Sequence, residues 1–243
     1  MKVALAQTAS IKGAIEENIR KHLQFIQIAI QAKADLIVFP ELSITSYEPE
    51  LAKDLACELT DQRLNPFQAL ANKHDIVIGI GMPIRTFEGI HIALVLFQAF
   101  QERICYTKQY LHEDEAPYFV PGTQNPILTI KSYRIAFGIC YETLKEEHFI
   151  AAIKQGMNLY VASVAKPDRG IQKAALHYPK MAQTYQVPIL MANAVGYCDN
   201  FWSAGQSGVW NQSGKLVDYL DDQHEGVLIY EVASENVHKV HQL

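Results

Sequence analysis

Three side chains of different chemistry stand at the ends of apolar runs. Cys140 follows Tyr133–Ile139, Glu41 follows Asp35–Phe39 and Pro40, and Lys108 lies just beyond Glu102–Tyr106. In open α/β architectures, ligands gather beyond the carboxyl ends of strands. A thiol there is a candidate nucleophile, and the N-terminus of a following helix is expected to lower its pKa. A carboxylate there is partly desolvated, which raises its pKa and suits a general base. An ammonium beside them would stabilise a developing oxyanion or thiolate. Each has an ordinary reading when taken alone: a small core residue for Cys140, a solvated loop acid for Glu41, an exposed lysine for Lys108. Their combination is what points to chemistry.

The elements that must position these groups alternate between strand and helix patterns. Lys2–Gln7 reads as a buried strand. Ile15, Ile19, Leu23, Ile26 and Ile30 recur on one helical face, and Asp35–Phe39 is a second strand, so a βαβ unit opens the chain. A helical pattern over Leu55–His74 leads to a strand at Ile76–Gly81. Ile90–Phe97 and Glu102–Tyr106 read as strands joined by a tight turn. Gln109–Pro126 is a polar, proline-rich loop, long enough to suggest function. Ile127–Ile130 and Tyr133–Ile139 form a hairpin-like pair, followed by a helix over Glu142–Gly156, a strand at Asn158–Ser163 and a helix over Ile171–Gln186. Strands at Pro188–Asn193, Gln206–Trp210, Lys215–Asp218 and Gly226–Val232 finish the pattern. The run from Ala152 to Val161 echoes the run from Ala29 to Val38 at a constant offset. Two similar βαβ halves suggest two sheets packed face to face with helices outside.

Composition narrows the function. A chain of 243 residues suits one large domain, and 49% hydrophobic with 19% charged residues excludes a disordered chain or a coiled coil. The longest apolar runs, such as Ile92–Phe97, are too short to span a membrane. The N-terminal apolar run stops at Gln7, too soon for a secretory signal, so a cytoplasmic protein is expected. A net charge of −5 with dispersed Lys and Arg argues against nucleic acid and leaves a small-molecule substrate. Cys57, Cys105, Cys140 and Cys198 show neither a C-x-x-C pair nor zinc spacing, and free thiols fit a reducing compartment.

Rival chemistries are weaker. Cys140 with His177 would make a Cys–His pair, but no acid is placed to orient His177. In His112-Glu113-Asp114-Glu115 adjacent side chains point in alternating directions and do not converge on an ion. Gly79-Ile80-Gly81 lacks the third glycine and the helix of a dinucleotide loop. Neither a metal nor another cofactor is expected.

Taken in order, Phe39-Pro40-Glu41-Leu42, Tyr106-Thr107-Lys108-x-Tyr110-Leu111 and Gly138-Ile139-Cys140-Tyr141-Glu142 resemble the nitrilase superfamily, the carbon–nitrogen hydrolases, with its Glu–Lys–Cys triad. The resemblance runs over nearly the whole chain. Glu41–Tyr47 is similar to the family segment P-E-L-x-x-T-G-Y, and Glu115-x-x-Tyr118-Phe119-x-Pro121-Gly122 looks like the segment holding its second glutamate. Ala192-Asn193-x-x-Gly196 and Ala204-Gly205-x-Ser207, with Gly214, match its closing strands. Ser46 stands where the family often has Gly, Glu142 where many members have Asp, and Leu144-Lys145-Glu146-Glu147 replaces a common Arg-Phe-Pro-Glu.

The resemblance implies a single carbon–nitrogen hydrolase domain over residues 1–243, with an α/β, nitrilase-like, four-layer αββα sandwich of two facing mixed sheets and outer helices. It implies an amidase-type hydrolase of small carboxamides. Glu41 would be general base, Cys140 would form a thioester with ammonia release, and Lys108 with the Tyr141 N–H would hold the oxyanion. Glu115 would hold Lys108 or orient the amide, and Tyr47 and Tyr141 would line the substrate pocket. It also implies a homodimer built through outer helices. The alternatives are a nitrilase, an N-carbamoyl amine hydrolase, or a scaffold that keeps the fold without turnover; the acyltransferase branch carries membrane spans that this sequence lacks.

Overall fold

Alternation along the first strand sets the layers. In β1 (Lys2–Gln7), Val3 and Leu5 point to one face and Ala4 and Ala6 to the other, and all four are fully buried. A strand buried on both faces must lie between two packed layers. The computed structural model, which describes residues 1–241, continues through α1 (Ile15–Gln31), β2 (Leu36–Val38), α2 (Ala52–Leu55), α3 (Asn65–His74), β3 (Val77–Arg85), β4 (Ile90–Phe97) and β5 (Ile104–Thr107). The second half comprises β6 (Leu128–Ile130), β7 (Tyr133–Ile139), α4 (Glu146–Lys154), β8 (Leu159–Val164), α5 (Asp168–Tyr185), β9 (Ile189–Asn193), β10 (Val195–Cys198), β11 (Phe201–Ala204), β12 (Gly208–Trp210), β13 (Leu216–Tyr219), β14 (Gly226–Glu231) and β15 (Asn236–His241).

Two mixed sheets result. The first runs β15-β14-β1-β2-β3-β4-β5, with β1, β2 and β3 parallel. The second runs β13-β12-β9-β8-β7-β6, with β7, β8 and β9 parallel. One core joins Val3, Leu5, Leu36 and Val38 of the first sheet to Ile135, Phe137, Val161 and Leu190 of the second, so the sheets face each other. The outer face of the first sheet packs Ala4, Ala6 and Ile37 against Ile19, Phe25 and Ile26 of α1 and Phe67 of α3. The outer face of the second packs Ala136, Tyr160 and Ala162 against Phe149 of α4 and Tyr178 and Met181 of α5. The order helix, sheet, sheet, helix is the four-layer sandwich expected from the two βαβ halves.

Three local expectations need correction. The helical pattern over Leu55–His74 is broken: the chain leaves the helix at Ala56, Cys57 bridges to Ile84 beside β3, and α3 starts only at Asn65, where Pro66 suits a first helical turn. The helix expected over Glu142–Gly156 begins later. Cys140–Leu144 is a 3₁₀ turn, Lys145 is extended, and α4 starts at Glu146. Cys140 itself has φ of 45°, in the left-handed region, which no right-handed helix can run through. Two hairpin strands, β10 and β11, and the edge strand β15 have no counterpart in the sequence reading, because their exposed polar and aromatic side chains do not form an apolar run.

Candidate active site

The carboxyl ends of strands from both sheets deliver the chemistry. Glu41 sits in the turn after β2. The Phe39 N–H donates to the Gly79 carbonyl at 2.9 Å and the Ile44 N–H to the Gly81 carbonyl at 3.1 Å, which ties that turn to β3. Gly81 makes the fit possible: a Cβ there would lie 2.1 Å from the Pro40 oxygen and 2.6 Å from the Leu42 nitrogen. Lys108 follows β5, its N–H donating to the Ile92 carbonyl at 2.9 Å and its own carbonyl accepting from the Gly122 N–H at 2.7 Å. Cys140 ends β7. Across the gap, the Ser163 hydroxyl of β8 donates to the Phe39 carbonyl at 2.8 Å and fixes one sheet end against the other.

Four of the expected residues form one buried cluster. Lys108 is fully buried, and its Nζ donates to Glu41 Oε1 at 2.7 Å and to Glu115 Oε1 at 2.6 Å. Tyr47 donates its hydroxyl to the same Glu115 oxygen at 2.8 Å, and the His112 N–H donates to the other at 2.8 Å. Glu115 therefore pairs with Lys108 and is itself anchored by Tyr47 and the His112 N–H. Glu41 Oε2 is buried and has no hydrogen-bond partner among the described residues. Burial raises the Glu41 pKa, the Lys108 ammonium opposes that, and the Glu115 charge reinforces it. Burial also acts to lower the Lys108 pKa, but the two carboxylates overcome this and leave it above the ordinary lysine value.

Cys140 does not behave as the strand-then-helix argument expects. The residue is partly buried and lines a cavity. Burial, and then the Glu41 charge, push the thiol up to about 12, while Lys166 and Lys108 pull it down. With only a 3₁₀ turn behind it and two carboxylates nearby, the thiol needs a base to ionise. Its strained backbone is held at the carbonyl, which accepts from the Thr143 hydroxyl at 2.6 Å and from Lys166 Nζ at 3.0 Å.

Of these groups, Tyr47, Glu115 and Cys140 border a cavity of about 440 Å³ that Tyr141, Lys166 and Phe201 also help to line, while Glu41 and Lys108 are buried and do not line it. Tyr141 stands at its edge, with the Lys145 ammonium 4.5 Å from its ring centre and the His112 ring edge-on at 5.2 Å. A wider depression of about 590 Å³ lined by Leu59, Phe100 and Arg103 contains none of the cluster. The rival pairs separate. His177 lies midway along α5, its Nε2 buried without a hydrogen-bond partner, and it makes no bond to Cys140 among the described residues. His112 pairs with Asp114 at 2.6 Å while Glu115 turns inward to Lys108.

Two residues carry more than the sequence reading gave them. Lys166, at the end of β8, is buried beside Cys140 and carried no motif signal, since a lysine before Pro167 reads as a surface residue. Glu142, noted only as a departure from a family pattern, accepts from the Ile139 N–H and the Gln109 N–H, each at 2.7 Å, and from the Tyr106 hydroxyl. It thus ties the residue before Cys140 to the residue after Lys108. Burial pushes its carboxyl up to about 7 against those hydrogen bonds. Ser46 has φ of 64°, a left-handed position of the kind glycine favours, which accounts for the glycine common there in the family.

Comparison with known proteins places this arrangement. The chain is 28% identical over 233 residues to a glutamine-dependent NAD(+) synthetase of Acinetobacter baylyi, a match covering 88% of this chain and 41% of that protein. It is 26% identical over 232 residues to the corresponding enzyme of Thermotoga maritima, covering 90% of this chain and 40% of that one. The chain therefore spans about two fifths of the length of these relatives. A probable nitrilase of Schizosaccharomyces pombe is 23% identical over 238 residues, covering 95% of this chain and 88% of that one. Among solved structures, an amidase from Nesterenkonia sp. AN1 superposes with a TM-score of 0.88 at 22% identity, over 95% of this chain and 92% of that one, which shows the shared fold. The sequence profile of the carbon–nitrogen hydrolases matches residues 2–242. By that near-complete match the chain belongs to the carbon–nitrogen hydrolase family, hydrolases acting on carbon–nitrogen bonds.

Proposed function

We propose that this protein is an amidase-type hydrolase that releases ammonia from a small carboxamide through a thioester on Cys140. The observation that carries this reading is that buried Lys108 pairs with both Glu41 and Glu115, and that Glu115 and Cys140, from opposite sheets, line one cavity. Glu41 Oε2, buried and unpartnered, takes the thiol proton as general base. The thiolate attacks the amide carbon, and the Lys108 ammonium with the Tyr141 N–H stabilises the tetrahedral oxyanion. Glu41 returns the proton to the leaving amine, ammonia departs, and water activated by the same carboxylate hydrolyses the thioester. Glu115 and Tyr47 keep Lys108 in place. Two mutants of the amidase of similar fold have been captured, one with acrylamide added at the active-site cysteine and the other in complex with butyramide, which supports an amide substrate here.

The test is an amide panel with ammonia detection, including aliphatic amides, omega-amides, glutamine and N-carbamoyl amines. Cys140→Ala is expected to lower turnover of the best substrate by about 10³-fold or more, because members of such a set act as a unit, with the circular dichroism spectrum unchanged. Substantial turnover by the folded variant would overturn the thioester reading.

A further inference from the structure

The cluster that ionises Cys140 contains a second buried ammonium that the proposed mechanism leaves unused. Lys166 is 3% exposed. Its backbone is pinned on both sides by one side chain: the Lys166 N–H donates to Asn193 Oδ1 at 2.8 Å, and Asn193 Nδ2 donates to the Lys166 carbonyl at 3.2 Å. Asn193 is itself anchored through the Gly205 carbonyl at 2.7 Å. From this fixed base, Lys166 Nζ reaches the Cys140 carbonyl at 3.0 Å and stands 3.9 Å from Cys140 Sγ. Among the described residues it has no carboxylate within ion-pair distance, whereas Lys108 has two. A buried ammonium is costly unless a negative charge comes to it.

The charge count indicates which negative charge that is. Before reaction, the Glu41 and Glu115 carboxylates both face Lys108. When the S–H bond breaks and an O–H bond forms on Glu41, the electron pair stays on sulfur, so one negative charge moves away from Lys108. Lys108 remains balanced by Glu115, and the new charge lies beside Lys166. We propose that Lys166 is a further catalytic residue, the cation that receives the Cys140 thiolate while its bond to the Cys140 carbonyl holds the left-handed nucleophile backbone in place. Lys166 acts on the thiol more strongly than Lys108 does, and burial lowers its own pKa, so it gains most when the thiolate appears. The groups that act on Lys166 are the Cys140 thiol, Glu41 and Lys108 of the cluster and Lys173 of α5, and His177 of α5 feels its charge.

The inference rests on Cys140 being the nucleophile, and alkylation separates the two ideas. Iodoacetamide labelling is followed by mass spectrometry across a pH series for the wild type, K166Q and K166R, each checked by circular dichroism. In the wild type, Cys140 is expected to react faster than Cys57, Cys105 and Cys198; if it does not, the nucleophile reading itself fails. K166Q keeps a donor for the Cys140 carbonyl and removes the charge. It is expected to alkylate about tenfold more slowly at neutral pH with its midpoint moved to higher pH, because reactivity follows the thiolate fraction. K166R is expected to recover most of the rate. Unchanged rate and midpoint in K166Q would overturn the proposal, as would equal slowing of K166Q and K166R with an unmoved midpoint, which marks a structural lysine. Should K166Q fail to fold, Lys166→Met against K166R makes the same comparison.

Discussion

At the scale of residues, two carboxylates share one buried ammonium, Lys108, and a second ammonium, Lys166, stands beside Cys140. Glu142 shows how far that organisation extends beyond the groups that would touch substrate. It bonds the backbone on either side of the cluster, at Ile139 and Gln109, so it sets the spacing between Cys140 and Lys108. Glu142→Gln places an amide N–H₂ among N–H donors and loosens that spacing. A loss of about 10²-fold in kcat is expected, the size of effect that a small misplacement produces, with KM changing less. Steady-state kinetics checks this, and wild-type kcat would refute it. Glu41, Lys108 and Cys140 were legible in the sequence because each follows an apolar run and each lies in a motif of the right order. Lys166 and Glu142 were not, because a lysine before a proline and an acid after a cysteine are ordinary surface residues until the fold buries them. The direction of the thiol shift was misread for a similar reason. The helix dipole was inferred from sequence, while the burial that dominates the shift, and the Glu41 charge that adds to it, come from the fold.

At the scale of elements, the site depends on close backbone approach where strands end. Gly81 of β3 lies against the turn that carries Glu41, with no room for a methyl group between backbone atoms. Gly81→Ala must push that turn aside. Activity is expected to fall by about 10²-fold although residue 81 touches no reacting group, and the melting temperature should drop as well. A G81A enzyme with wild-type kcat/KM would show that the turn is adaptable. The parallel strands β1 and β7 were read with accurate limits and β8 to within one residue at each end, since a strand buried on both faces is a near-continuous apolar run. The hairpin β10–β11 lacked that signal: Tyr197 and Trp202 are cross-strand neighbours and both stand exposed. The break near Cys57 was hidden as well, because a helical pattern in sequence does not reveal that β3 offers a competing backbone partner.

At the scale of the whole molecule, buried neutral histidines couple folding to pH. His22 of α1 stacks on Phe39 at 4.1 Å and uses both ring nitrogens, on the Asn18 carbonyl at 2.7 Å and the Ser43 hydroxyl at 2.8 Å. Burial drives its pKa from 6.5 down to about 3, and that of His148 to about 4. As pH falls below 6.5 the unfolded chain binds these protons and the folded protein does not, so their contribution is whole above 6.5 and declines toward the folded values. Glu142 acts in the opposite sense, its raised pKa favouring the folded state as pH drops from about 7 toward 4.5. His22 alone should withdraw about 2 kcal/mol between pH 7 and pH 5. Urea unfolding at both values should therefore show a smaller difference for His22→Gln than for the wild type, and equal differences would exclude His22 as the sensor. The two-sheet architecture was visible in the paired βαβ halves, yet the closure of the first sheet was not. Its strand β1 is zipped along its whole length, Lys2 to Glu231 through Gln7 to Gly226, against β14, which is made much later. During vectorial synthesis on the ribosome, Val3, Ala4, Leu5 and Ala6 present an open, greasy flank until residue 231 has emerged. A transcript cut short before that point would leave a nascent chain with an unzipped edge, the kind of surface that recruits holding chaperones or sticks to its siblings.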